Sequence, residues 1–291
     1  MAAGCANIAR MNYTTFDFSV TDHIARVTMN RPERRNAMSL QFWSELGAVF
    51  THIDQLPEVR VAILASTGKH FTSGLDLSEF AVIAAELPQG DRGRSSDRFR
   101  RLVLQMQQSF TAIERCRVPV LAAIQGGCIG GGVDMVTACD MRYCTEDAFF
   151  CIHEINIGMT ADVGTLQRLP KLIPEGVARE LAFTGRRMLA PQALQVGLVN
   201  AVYPTHEELL AQVQKTAIEI ASKSPLATVG TKEMLNYTRD HSVEDALRYV
   251  ASWNAGMFFT EDLMEQLAAN SEKRAANFAD LLPDRLLRRR D

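Results

Sequence analysis

Apolar residues follow two rhythms along this chain. "YTTFDFSV" and "HIARVTMN" flank Thr21-Asp22 and read as a hairpin, with apolar residues at Ile24, Val27 and Met29. "NRPERRNAM" is a polar loop. Then Phe42, Leu46, Val49, Phe50 and Ile53 form one stripe at helical spacing along "LQFWSELGAVFTHIDQL", with Ser39 placed to cap the helix. "VRVAILAS" is a continuous apolar run, as in a strand covered on both faces. The loop "TGKHFTSGLDLSEF" follows. From Ala81 to Arg94 no period is clear, and "LPQGDRGRSS" reads as a mobile insertion. "DRFRRLVLQMQQSFTAIERC" returns to helical periodicity.

The alternation continues. "VPVLAAIQG" is a second buried strand, and Gly130-Gly131-Gly132 opens a helix through Cys139. "MRYCT" and "AFFCI" are short strands, helices are expected near 162–171 and 175–186, and a strand from Leu198 to Val202. Apolar strands alternating with helices imply an α/β domain with covered sheets. From His206 onward the chain reads as almost all helix. "VEDALRYVASWNAGMFFTEDLMEQLAANSEK" is long and amphipathic, suited to packing on a partner subunit. The chain thus divides into a core at 12–205 and a helical C-terminal region at 206–291.

Composition narrows the classes. The 291 residues are 47% apolar and 22% charged, ordinary for a globular protein with one large core. A net charge of −3 gives no electrostatic case for nucleic acid or a membrane surface. The longest uncharged run, Val118 to Val133, is short for a membrane span and holds a proline, a glutamine and five glycines. The six cysteines show no C-x-x-C spacing and most sit in apolar runs, so reduced thiols are expected and a zinc site is not. "MAAGCANIARMNY" lacks the apolar core of a signal peptide and is a poor transit peptide; Met11 is an alternative start. "RLLRRRD" differs from the S-K-L address, and a cytoplasmic location is expected.

The glycine cluster is not a dinucleotide fingerprint, because G-x-G-x-x-G from Gly130 would need glycine where Met135 stands. There is no P-loop, no G-x-S-x-G elbow and no H-x-x-x-H pair. Glycines before a helix expose backbone N–H groups to a ligand, a setting suited to a developing oxyanion. Tight strand-to-helix packing explains the same glycines equally well. "FTSGLDL" is a second loop after a buried strand, and two such loops could each give one N–H to a single carbonyl oxygen.

The carboxylates separate by context. Asp140, Glu146 and Asp147 flank element ends, where capping or solvation accounts for them, and Asp76 caps or ties down its loop. Asp134 lies in the first turn of the glycine-led helix, where complementing the helix dipole is the plain alternative to chemistry. Glu154 ends "AFFCIH", and Asp162 sits in the otherwise uncharged "INIGMTADVGTL", where it could merely cap the next helix. Strand alternation would turn His153 to the face opposite Glu154, which argues against a catalytic histidine.

"NRPERRNAM", "HFTSGLDL", "AAIQGGCIGGGVDMVTACDMRYCTEDAFF", "EINIGMTADVGTLQRLP", "FTGRRMLAPQALQVGLVNAVYP" and "KSPLATVGTK" together resemble the crotonase (enoyl-CoA hydratase/isomerase) superfamily, over roughly residues 16 to 275. The resemblance implies a spiral of ββα units, a helical C-terminal region that builds trimers often paired as hexamers, and action on acyl-CoA thioesters. It implies an oxyanion hole from the amides of Leu75 and Gly131, with Ser73, Gly74, Asp76, Leu77 and Gly132 beside the substrate. Typical hydratases of the family carry glutamates at the positions of Asp134 and Glu154 and glycine at that of Asp162. The present trio is similar to the branch that isomerises 3,5-dienoyl-CoA to 2,4-dienoyl-CoA in fatty-acid β-oxidation. There Asp162 would take a proton from C2, Glu154 would deliver one at C6, and Asp134 would help keep Glu154 protonated. No metal or redox cofactor is expected, since coenzyme A belongs to the substrate. The alternatives are a 2-enoyl-CoA hydratase, disfavoured by Asp162, and a crotonase-fold RNA-binding protein, disfavoured by the acidic balance.

Overall fold

The computed structural model describes residues 13–86 and 90–283. The readings made on the first twelve residues, on 87–89 and on "RLLRRRD" lie outside the described residues. β1 (Phe16–Thr21) and β2 (Ile24–Met29) form the expected hairpin, with Phe16 opposite Met29 and Thr21 opposite Ile24. Its turn falls one residue later than read, on Asp22 and His23, at φ 50 and 64. Two left-handed residues in a row match the right-handed twist of the flanking strands. α1 (Leu40–Gln55) starts as expected, with Ser39 Oγ accepting from the Phe42 N–H at 3.2 Å. β3 (Val61–Ser66) follows.

The described part of the stretch read as irregular is largely helical: α2 (Leu77–Glu86), then α3 (Arg92–Arg115). Side-chain caps account for both starts. The Asp76 carboxylate accepts from Ser78 N–H at 3.3 Å and Ser78 Oγ at 2.5 Å, and that of Asp91 from Arg94 N–H at 3.1 Å. Gly90, at φ 99, precedes the second helix, so the polar "GDRGR" holds a helix start within what was read as an insertion.

The next stretch repeats one unit. β4 (Val120–Ile124), β5 (Gly127–Ile129) and α4 (Gly131–Thr137) form the first copy. β6 (Met141–Thr145), β7 (Phe149–Cys151), a 3₁₀ turn at Glu154–Ile157 and α5 (Thr165–Arg168) form the second. A 3₁₀ turn at Leu169–Lys171, α6 (Glu175–Thr184), β8 (Met188–Leu189), α7 (Ala190–Gln195) and β9 (Ala201–Tyr203) close the core. Leu198 and Val199 precede that last strand; they are apolar because they are buried, not because they are extended. α8 (His206–Ala221), α9 (Pro225–Asp240), α10 (Val243–Met257) and α11 (Glu261–Glu272) form the helical region.

The large sheet runs β1-β2-β3-β4-β6-β9, parallel beyond the first hairpin, and a small sheet runs β5-β7-β8. Each ββα unit therefore lays one strand in each sheet. β3 is buried along its whole length: Ala62 and Leu64 join the core that includes α1, whereas Val61, Ile63 and Ala65 pack with Leu209, Val213 and Ala217 of α8. Covering both faces explains why β3 and β4 read as unbroken apolar runs. α9 sends Lys232 into the core, where its Nζ donates to Asp140 at 2.7 Å and to the Val118 carbonyl at 3.0 Å. Cys116, Cys128, Cys139, Cys144 and Cys151 are free and buried. Burial pushes the Cys116 thiol up to about 11 and that of Cys139 up to about 12, so these thiols stay protonated.

Candidate active site

The site begins where two loops of the spiral are sewn together. The Thr72 N–H donates to the Gly127 carbonyl at 3.1 Å, and the Ile129 N–H to the Thr72 carbonyl at 3.2 Å. On the other side, Met38 N–H donates to the Gly74 carbonyl at 2.8 Å, and Asp76 N–H to the Met38 carbonyl at 3.0 Å. Consecutive N–H groups of an extended segment point in opposite directions, so Leu75 N–H faces away from Met38. Gly131 is the first residue of α4, and a first-turn N–H has no helical partner. Leu75 and Gly131 line the same cavity.

Glycine is required at this seam. Gly74 sits at φ 81, and a Cβ there would lie 2.8 Å from the Ile129 carbonyl oxygen. At Gly132 a Cβ would lie 2.5 Å from Thr72 Cγ2. The readings of the glycines as packing residues and as ligand-facing residues thus divide by position. Gly132 meets Thr72 and Cys128, while Gly130 and Gly131 line the cavity.

The carboxylates arrive from three elements. The Gly130 N–H donates to the Cys151 carbonyl at 2.9 Å, which brings the start of α4 to the end of β7. The chain then leaves the strand, and Glu154 opens a 3₁₀ turn closed by Gly158 at φ 76. Strand alternation therefore no longer applies at His153, and His153 and Glu154 both line the cavity. His153 is exposed, whereas one carboxylate oxygen of Glu154, Oε2, is buried without a hydrogen-bond partner. Asp162 lies in the loop before α5, and its backbone carbonyl accepts from Gln107 Nε2 of α3 at 2.6 Å. It does not cap α5: the N-cap is Gly164, with no side-chain cap.

Asp134 is fully buried and stands behind the cavity wall rather than in it. Its Oδ1 accepts from the Thr165 N–H at 2.6 Å, tying α4 to the start of α5, and its Oδ2 has no partner. Burial, then the Glu154 charge, pushes Asp134 up to about 7. Glu154 is raised by burial and by the Asp162 charge, and Asp162 is raised by burial. At neutral pH the three carboxyls therefore hold more protons than three exposed acids would, and one site can contain both an acid and a base.

The cavity, of about 80 Å³, is lined by Ser73, Gly74, Leu75 and Leu77 on one side and by Glu154 and Asp162 on the other. Asp76 is not in its wall; it faces Arg34 at 3.5 Å and holds its loop. Apart from His153 the remaining wall is apolar and includes Phe80, Phe99, Val103 and Met106 of α2 and α3. None of these four is singled out by the sequence, because an apolar residue lining a pocket and one filling a core have the same helical spacing. Among the described residues, none that lines the cavity is Lys or Arg.

A two-sheet ββα spiral thus brings Leu75 and Gly131 to the same cavity as the carboxyls of Glu154 and Asp162. The chain belongs to the enoyl-CoA hydratase/isomerase family, whose model matches residues 19–281. It is similar to the human protein named Delta(3,5)-Delta(2,4)-dienoyl-CoA isomerase, mitochondrial: 47% identity over 257 residues, 88% of this chain and 78% of that one. The Arabidopsis thaliana protein named Delta(3,5)-Delta(2,4)-dienoyl-CoA isomerase, peroxisomal, is 48% identical over 89% of this chain and 93% of its own. Among solved structures, an enoyl-CoA hydratase from Bacillus anthracis aligns with a TM-score of 0.82 at 31% identity, covering 91% of this chain and 98% of that one. The expected cytoplasmic location is corrected by these relatives, which are named mitochondrial and peroxisomal. Among the described residues no helix is long and apolar enough to cross a membrane.

Proposed function

We propose that this protein is a Δ3,5-Δ2,4-dienoyl-CoA isomerase of fatty-acid β-oxidation. One observation carries the reading: Glu154 and Asp162, both raised by burial, line one largely apolar cavity together with Leu75 and Gly131. Asp162 acts as base and removes a proton from C2 of a bound 3,5-dienoyl thioester. The electron pair delocalises through the two double bonds onto the thioester oxygen. The Leu75 and Gly131 amides receive that oxygen, and each such donor is typically worth about 2.7–4 kcal/mol in the transition state. Glu154, protonated, delivers a proton at C6, which leaves the 2,4-diene. Asp134 works through Glu154 by like-charge repulsion, which favours the protonated form. Ser73, Gly74 and Leu77 border the thioester, while Asp76 and Gly132 act on it through the loops they hold.

The chemistry is proton transfer alone, and coenzyme A enters as part of the substrate, so no resident cofactor is assigned. The helical region supplies the surface for a homotrimer or homohexamer. Leu235, Leu247 and Phe259 support this, being 67%, 62% and 89% exposed. The reading is tested by mixing the protein with a 3,5-dienoyl-CoA and, separately, with a 2-enoyl-CoA while following the ultraviolet spectrum. Growth of the conjugated 2,4-dienoyl band is the expected result. Hydration of the monoene without diene isomerisation would assign the protein to the hydratases instead.

A further inference from the structure

The loop that carries Asp162 has little regular structure of its own. Gly164, at φ 138, interrupts it, and α5 spans only four residues, Thr165–Arg168. What fixes the loop comes from α3. Gln107 Nε2 donates to the Asp162 carbonyl at 2.6 Å. Arg168 folds back across Gly164 so closely that a Cβ there would lie 2.0 Å from its Nη1. Its Nη2 donates to Thr111 Oγ1 at 3.3 Å and to the Glu114 carboxylate at 2.9 Å. Gln107, Thr111 and Glu114 are four and three residues apart, so they lie on one face of α3. Glu114 is in turn held from α9, where Arg239 pairs with its carboxylate and Asn236 Nδ2 donates to its carbonyl at 3.2 Å.

We propose that Gln107 and Arg168 are positioning residues for the carboxylate of Asp162, and that one face of α3, braced by α9, sets where that carboxylate stands over the substrate. Neither side chain lines the cavity, so neither touches the reacting atoms. Gln107 fixes the Asp162 peptide from one end of the loop. The Arg168 clamp fixes the other end, where Gly164 is the only residue type that leaves it room. A displacement of a catalytic group by about 1 Å costs on the order of 100-fold in rate without a matching loss of binding. The inference rests on the proposed role of Asp162 as base.

The test is steady-state isomerisation of a 3,5-dienoyl-CoA by the full-length chain carrying Gln107→Met, Arg168→Met or Arg168→Lys, with Asp162→Asn in parallel. Gln107→Met keeps the side-chain length and removes only the donor. The expected result is a kcat lowered about 10- to 100-fold in Gln107→Met and Arg168→Met, with KM within about twofold of the parent, as for a misplaced reacting group. Arg168→Lys, which keeps a cation opposite Glu114, recovers part of the loss. If Arg168→Met fails to fold, Gln107→Met decides alone. A folded Gln107→Met protein with parental kcat, or with a raised KM and intact kcat, overturns the positioning role. Parental activity in Asp162→Asn is a separate failure, that of the base assignment itself.

Discussion

α1 and α4 each bury a carboxylate, and the two acids are treated in opposite ways. Glu45 of α1 is 6% exposed and Asp134 of α4 is 0% exposed. Glu45 accepts from both the N–H and the hydroxyl of Thr14 and Thr15, at 2.6 to 2.9 Å, and from Gln41 Nε2 at 2.9 Å. Burial raises it, but these hydrogen bonds outweigh burial and hold it at about 2. Asp134 has one donor, a second oxygen with no partner and Glu154 as a charged neighbour, and it rises to about 7. An acid that only builds the fold is saturated with donors. An acid left partly unpaired beside another carboxyl is instead pushed up, the condition expected of a group that serves proton chemistry.

Four substitutions sharpen or break this contrast. Asp162→Asn is expected to lower dienoyl isomerisation by about 1,000-fold, in the range for loss of a general base, with the fold intact by circular dichroism. Near-parental turnover would remove Asp162 from the chemistry. Gly74→Ala strains a φ of 81 and drives a methyl into the Ile129 carbonyl. It parts the two donor loops and lowers kcat by about 100-fold, the scale of losing one oxyanion donor. A smaller change in stopped-flow turnover would mean that the seam does not set the amide pair.

Glu45→Gln should cost about 2 kcal/mol in urea unfolding at pH 7, through lost charge-assisted hydrogen bonds, while turnover per folded molecule stays the same. Because Glu45 is held below its ordinary 4.5, its stabilisation is present above that pH and disappears as pH falls through about 2. The variant should lack that acid dependence. Asp134→Asn moves the other way. Asp134 is raised from 3.8 to about 7, so the carboxyl costs no stability below about pH 4; its cost accumulates as pH rises from about 4 to about 7 and is fully present above that. At pH 8 the variant should be more stable by on the order of 1–2 kcal/mol, the coupled Glu154 carrying part of the full cost. On the proposed role of Asp134 it should also be slower, since Glu154 would lose a neighbour that favours its protonated form. Equal loss of stability in both variants would erase the distinction between the two acids.

Much of the frame was legible in the chain. β3 and β4 are covered on both faces and announce themselves as unbroken apolar runs, and Ser39 marks the start of α1 correctly. β5 and β8, of three and two residues, are too short to show a period. α2 was not read as a helix, and the first turn of α3, though not its body from Asp97 on, was obscured because Gly90, Asp91 and Gly93 look like loop chemistry, although Asp91 is a cap. "VEDALRYVASWNAGMFFTEDLMEQLAANSEK" reads as one amphipathic stretch but is two helices, and Thr260 Oγ1 starts the second by accepting from Leu263 N–H at 3.3 Å. Within the site, Glu154 and Asp162 stood out as acids in apolar surroundings. The Gln107 and Arg168 supports did not, because a contact between residues 55 positions apart leaves no local pattern.

The seam at Thr72 also bears on how the chain assembles. Leu75 follows β3, ahead of the first ββα unit, and Gly131 opens the helix of that unit, so the two residues line one cavity only after the intervening 55 residues have docked. On the proposed function, a partly assembled chain would bring at most one of the two amides to the thioester oxygen. Turnover during refolding would thus report closure of this loop of chain, and it should lag behind the helical signal from α8 to α11, whose contacts form locally.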